Sequence, residues 1–93
     1  MIRSFRSRET ARVWEGESSR RFPGDVQDQA LRKLRQIDAA RTLEDLRNPP
    51  GNRLEALRGD RKRQMSLRIN DQWRICFVWK NGDATEVEIV DYH

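Results

Sequence analysis

The chain has 93 residues, 37% charged and 35% hydrophobic, so it holds enough apolar material for one small core and is expected to be a single domain over residues 1–93, burying roughly 60–65% of its unfolded surface. One cysteine, Cys76, and one histidine, His93, exclude an internal disulfide and a Cys/His zinc site; no motif supports a carboxylate metal site or any cofactor. The opening MIRSFRSRET is too charged for a signal peptide or a membrane span, so the expected compartment is the cytoplasm, with no membrane partner.

The net charge is +4, and of 19 basic residues 16 are Arg. A guanidinium is a planar fork that matches phosphate oxygens two at a time, so this bias suits an anionic partner, although high genomic GC content raises Arg equally well. The charge is unevenly spread: residues 1–48 carry 11 basic and 8 acidic groups, residues 49–82 carry 8 and 3, and residues 83–93 carry none and 4. The middle of the chain is the basic patch.

In chain order, residues 1–6 alternate briefly and predict a short strand that pairs with a sheet built later. Ser7 is the expected N-cap of a short helix over 8–15, stopped by Gly16. After Pro23-Gly24, Asp25 is the expected cap of a longer helix, in which Val26, Ala30, Leu34 and Ile37 draw one apolar stripe over about four turns. Arg32, Lys33, Arg35 and Gln36 lie on its other side, either as a solvated face or as a surface that tracks a nucleic-acid backbone. Thr42 to Leu46 carries a capping pattern for one helical turn, and Asn48-Pro49-Pro50-Gly51-Asn52 is expected to end helical structure.

Beyond that point the apolar period changes from 3.6 to 2. Residues 53–58 predict a strand, whose Leu54 and Leu57 spacing suggests a bulge, and Gly59 to Arg63 (GDRKR) is a charged connection. Residues 64–69 and 73–79 alternate on either side of Asn70-Asp71. Asn81-Gly82 is a hairpin signal, and Val87 and Ile89 continue the alternation to the end. The expected fold is α+β, in the order β-α-α-β-β-β(-β), a small antiparallel sheet packed on two N-terminal helices.

Because i and i+2 share a strand face, Met65, Leu67, Ile69, Trp73, Ile75, Phe77 and Trp79 should face the helices, and Arg68 and Arg74 the opposite side. If the two strands pair across Asn70-Asp71 these arginines lie close together, with Arg58 and the basic loop Arg61, Lys62 and Arg63 joining at one edge. Such a cluster either grips a phosphate or is neutralised by Glu86, Glu88 and Asp91 on the last strand as ordinary cross-strand pairs. The chain ends on Asp91, Tyr92 and His93, which taken alone also reads as a frayed terminus. Beside a phosphate-gripping arginine cluster, however, an imidazole and a phenol are the proton-transfer parts of a metal-free ribonuclease.

Several strings resemble the HigB branch of the RelE/ParE toxins of bacterial type II toxin-antitoxin systems: MIRSF, NRLEALRGDR (52–61), SLRINDQWRICF (66–77) and VEIVDYH (87–93). PPGNRLEAL and the terminal run are also similar to the weakly toxic subgroup called GraT. The resemblance spans nearly the whole chain and implies a RelE-like fold and an endoribonuclease that cleaves mRNA in the A site of the 30S ribosomal subunit without a metal. It also implies a HigA-like helix-turn-helix antitoxin and, through that antitoxin, indirect contact with operator DNA. By position, acid-base and stacking roles fall on Asp91, Tyr92 and His93, and phosphate stabilisation on Arg58 and Arg74, with Arg61, Lys62, Arg63 and Arg68 as RNA-binding residues. Relatives can carry Lys in place of Arg58, and an Arg there keeps the charge without readily donating a proton. Two other functions share this fold or charge: a ParE-like inhibitor of DNA gyrase, and a catalytically weak module that binds antitoxin or nucleic acid. The antitoxin is expected on the helices and N-terminal strand, leaving Arg74 and His93 open.

Overall fold

The computed structural model describes residues 1–92. Helix α1 spans Arg8–Trp14 and starts as expected at Ser7, whose hydroxyl accepts from the Thr10 amide; Gly16, with φ near +81°, ends it. Helix α2 spans Gly24–Ala39 and begins two residues earlier than a cap at Asp25 would place it, with Pro23 in the capping position. Pro23 offers no side-chain cap, but its carbonyl accepts from the Gln27 amide at 3.0 Å, and Asp25 acts instead as an acidic group in the first turn, where the helix dipole favours it. The four stripe residues Val26, Ala30, Leu34 and Ile37 are all buried.

A 3-10 turn at Leu43–Arg47 carries the expected cap, a box between Thr42 and Asp45. Helical structure does not stop at Asn48, since a second 3-10 turn covers Pro50–Asn52 and closes with Arg53 in the left-handed region. Asn52 is fully buried. Its side-chain oxygen accepts from Lys33, and its amide nitrogen donates to Gln36 and to the carbonyls of Leu46 and Asn48. One side chain thus ties α2 to both 3-10 turns.

Four antiparallel strands follow in the sheet order β1-β2-β3-β4: Glu55–Ala56, Gln64–Arg68, Trp73–Lys80 and Asp83–Asp91. The strand expected over 53–58 shrinks to two residues because the left-handed Arg53 precedes it and a 3-10 turn, Gly59–Arg61, follows Arg58. The bulge foreseen there lies elsewhere, between β3 and β4, where the register shifts between Cys76 and Val78 and Glu86 takes φ near +52°. Inserting one residue flips the parity of the rest of the strand, so Ala84, Val87 and Ile89 can all enter the core despite their 3, 2 spacing.

The N-terminal segment joins the far edge of the sheet, but only through parallel bridges of Ile2 to Ala84 and Phe5 to Val87. The bulge interrupts any longer ladder at this edge, and the Glu86 amide turns to the Ser4 hydroxyl instead. The predicted inward face holds: Leu67, Ile69, Ile75 and Phe77 are buried among the helix residues, with Met65, Trp73 and Trp79 packed partly buried around them. Both helices cover this one face, α1 anchored by the buried Thr10, whose hydroxyl accepts from the Ile89 amide at 3.0 Å. Neither helix covers the other face of the sheet, where Ser66 and Cys76 are nonetheless fully buried.

Replacing Asn52 with Ala strands the Leu46 and Asn48 carbonyls and the Lys33 ammonium. A buried group left unpaired costs about 1–3 kcal/mol, so Asn52→Ala should lower the unfolding free energy by at least that amount, seen by circular dichroism as a lower urea midpoint with little change in slope.

Candidate active site on the open face of the sheet

The register puts Arg68 directly opposite Arg74 on β2 and β3, and alternation turns both away from the helices, as the spacing predicted. Like charges placed so are destabilising unless each is answered. The answer differs from the cross-strand pairs expected with Glu86, Glu88 and Asp91. Arg68 pairs with Asp71 in the adjoining turn. Arg74 reaches across β2, with one terminal nitrogen 3.2 Å from Glu55 and the other donating to the Arg53 carbonyl at 2.8 Å. Glu88 is taken by Arg61, at 3.3 Å, and Glu86 sits in the bulge.

The Arg74 side chain is only 13% exposed. Its guanidinium carbon stands 5.4 Å from the centre of the Tyr92 ring, a distance at which the ring face attracts a cation. Tyr92 is held there by its amide, which donates to the Gln72 carbonyl at 2.6 Å. Two polar atoms on this face are buried with no hydrogen-bond partner among the described residues: Nε of Arg74 and Oγ of Ser66. Buried donors are rarely left unmade, and here the vacant donor belongs to a cation already clamped on its other two nitrogens. A hollow of about 280 Å³, lined by Arg61, Val90, Asp91 and Tyr92, opens beside it. A larger hollow, of about 690 Å³ between α1 and the connection that follows it, is remote from these groups.

The remaining expected residues are placed less uniformly. Arg61 is half-buried and fixed by Gln64 and Glu88. Arg58, Lys62 and Arg63 are exposed, and no ion pair among the described residues engages them. Asp91 pairs in register with Trp73, which packs against the helix-side core; alternation therefore points it to the helix side, opposite to Tyr92, and its carboxylate accepts from Gln72 at 3.1 Å. His93 lies outside the described residues.

Sequence reasoning missed Glu55, the carboxylate that positions Arg74, because a two-residue strand leaves almost no periodic signal. Ser66 and Cys76 were legible in principle, since each lies two residues from Arg68 or Arg74 on the same strand face. Burial pushes the Cys76 thiol above its ordinary 9.0; Arg61 and Arg74 pull it down and Glu88 pushes it up, but burial dominates. Cys76 is thus an inert member of the site floor rather than a nucleophile.

The arrangement can hold a phosphate against Arg74 under an aromatic ring, with a carboxylate on the far side. The family model that describes the RelE-like toxin of the type II toxin-antitoxin system HigB matches residues 3–93. The chain belongs to this HigB-like toxin family. Toxin HigB-1 of Vibrio cholerae is 38% identical over 85 residues, covering 90% of each chain. Endoribonuclease HigB of Proteus vulgaris is 32% identical over 93 residues, covering both chains in full. Among solved structures, YoeB in the YoeB-YefM complex from Staphylococcus aureus aligns with a TM-score of 0.63 over 100% of this chain and 98% of that one; at 14% identity this likeness shows a shared fold. The HigB-like chain thus has the RelE-like α+β architecture expected from its sequence.

A raised thiol pKa has a signed consequence for this toxin. Its contribution to stability is fully present below 9.0 and is lost as pH rises through the higher folded value, because the unfolded thiol ionises first. Cys76→Ala should therefore show a shallower loss of stability than wild type above ~pH 9, read from urea midpoints across pH, and native Cys76 should resist iodoacetamide until denaturant is added.

Proposed function

We propose that this HigB-like toxin is an endoribonuclease that cleaves mRNA in the ribosomal A site without a metal, working in the cytoplasm. The observation that carries the reading is Arg74, clamped by Glu55 and the Arg53 carbonyl, with its guanidinium 5.4 Å from the centre of the Tyr92 ring. The small part of it that stays exposed, beside Tyr92, is where a phosphate oxygen can meet the cation. The family membership and the relative named Endoribonuclease HigB support the same chemistry.

In this reading a ribose 2′-OH attacks the adjacent phosphorus and the 5′-oxygen of the next nucleotide leaves, so one proton must be taken up and another supplied. Arg74 stabilises the anionic transition state, in which the phosphate carries more charge than in the ground state. Tyr92 and His93 carry the proton transfers that the resemblance assigns them. Glu55, half-exposed on the same face and 3.2 Å from Arg74, is a further proton acceptor within the site. Asp91, on the other side of the strand, supports the terminal run through Gln72 rather than meeting the phosphate directly. Arg58, Lys62 and Arg63, exposed and unpaired with carboxylates among the described residues, are suited to ribosomal and messenger phosphates, where charge steers binding with little geometric demand.

Neutralisation falls to a HigA-like helix-turn-helix antitoxin, which also links the pair to operator DNA. The YoeB-YefM complex is an assembly of a protein with the same fold. The helices α1 and α2 with the N-terminal segment form the expected docking side, opposite to Arg74.

In a translation extract the protein should generate new mRNA 5′ ends at in-frame A-site codons. Arg74→Ala should reduce them by about 10²-fold or more, and Glu55→Gln and His93→Gln by ~10² to 10⁴ if each carries a proton. Equal cleavage of naked RNA would refute the ribosome requirement, and growth arrest with intact mRNA, indifferent to His93→Gln, would point to gyrase.

A further inference from the structure

The strand register sets one row of residues across the sheet face that neither helix covers: Glu55 beside Ser66, Ser66 beside Cys76, and Cys76 beside Glu88. Residues directly opposite one another in a ladder share a face, so a carboxylate stands at each end of this row, and Arg68 and Arg74 lie side by side in the next. Three arginines meet this face with partly or largely buried side chains, and each has a carboxylate of its own. Arg74 has Glu55 at 3.2 Å, Arg61 has Glu88 at 3.3 Å, and Arg68 has Asp71. The face thus carries its own counter-anions.

These carboxylates differ in how easily they can let go. Asp71 is 98% exposed, Glu55 54% and Glu88 22%. An exposed carboxylate is rehydrated as its ion pair opens, so parting Asp71 or Glu55 from its arginine costs little, whereas Arg61 is held by Gln64 as well as by the more buried Glu88. Glu55 also sits on a two-residue strand at the edge of the sheet, where its side chain can turn to water without breaking a ladder. Arg74 keeps a second anchor if it does, since the Arg53 carbonyl accepts from its other terminal nitrogen at 2.8 Å. A phosphate that reaches Arg74 meets Glu55 on the same guanidinium, and two anions on one cation repel each other.

We infer that Glu55, seconded by Asp71 at Arg68, is a specificity-determining residue: an internal anion that holds its arginine in the free protein and competes with the substrate phosphate for it. The inference rests on the RNA-cleaving reading above and adds the reason a site rich in arginine disregards free RNA yet accepts a strand that other contacts hold in place. A carboxylate that served only to orient Arg74 would fit the same distance, but it would strengthen phosphate binding. A competitor weakens it, so the two roles predict opposite signs.

The test is fluorescence anisotropy with a labelled 2′-O-methyl RNA of about 4 nucleotides, which lacks the attacking hydroxyl and so reports binding alone. At low salt Glu55→Gln should bind it about 3- to 10-fold more tightly than wild type and Asp71→Asn about 2- to 5-fold, with both gains shrinking as salt screens the exposed charges. Arg74→Ala should abolish the gain from Glu55→Gln. Asp71→Asn keeps Glu55 in place and should also raise cleavage of naked RNA relative to ribosome-bound mRNA. Unchanged or weaker binding in a Glu55→Gln protein that folds as wild type by circular dichroism overturns the inference; if wild-type binding still needs Arg74, the active site stands. If Glu55→Gln does not fold, Asp71→Asn decides, and unchanged or weaker binding there overturns the inference. A gain that survives Arg74→Ala overturns it too, because the competition would not be for Arg74. Wild-type binding indifferent to Arg74→Ala counts against the RNA-cleaving site itself.

Discussion

A guanidinium that is nearly buried on the sheet face that neither helix covers must be answered by fixed partners, and Arg74 imposes this constraint on a large part of the molecule. Its partners are Glu55 and the Arg53 carbonyl, both in a segment with little regular structure of its own. Glu55 is half-exposed, so the ion pair is worth about 1 kcal/mol or less after screening. Its importance is positional. The carbonyl of Arg53 can point at Arg74 because Arg53 turns left-handed after the Pro50–Asn52 turn; that turn is pinned by Asn52, and Asn52 is held by Lys33 and Gln36 of α2. The chain of dependence runs from the packed helix, through one buried amide, to the orientation of the cation at the site.

A second constraint is parity. The final strand must send Ala84, Val87 and Ile89 into the core and still deliver Tyr92 to the Arg74 side. Strict alternation cannot do both, and the bulge at Glu86 reconciles them. The same bulge limits the N-terminal segment to two bridges, leaving the pairing at that edge of the sheet short. The geometry of the site and the short pairing at the sheet edge thus share one local device.

Strong periodic segments were legible from the residues alone. The stripe of Val26, Ala30, Leu34 and Ile37, the Ser7 cap, the Thr42 cap and the alternation of Leu67, Ile75 and Phe77 all appear where the spacing put them, because burial on one face leaves a repeating signature. The errors fall where that signature is short or interrupted. Residues 53–58 read as a strand and kept only Glu55 and Ala56; Asp25 read as a cap and became a first-turn residue; a bulge was expected in the wrong strand. Leu54 and Leu57 gave an irregular spacing, but so did Ala84 and Val87, and spacing by itself does not say which irregularity is a bulge and which a turn.

Sequence by itself determined the fold class, the face of the sheet that would carry Arg68 and Arg74, and the family resemblance, since each depends on period and on residue identity within a few positions. Only the tertiary structure decided which carboxylate answers which arginine. Arg74 and Glu55 are 19 positions apart and meet across a strand of another hairpin; Arg61 and Glu88 are 27 apart. Those pairings depend on register, on a two-residue strand and on a left-handed turn held by a helix packed over the other face. No local pattern encodes such a coincidence, because the energy that selects it is released only when all of those elements are already in place.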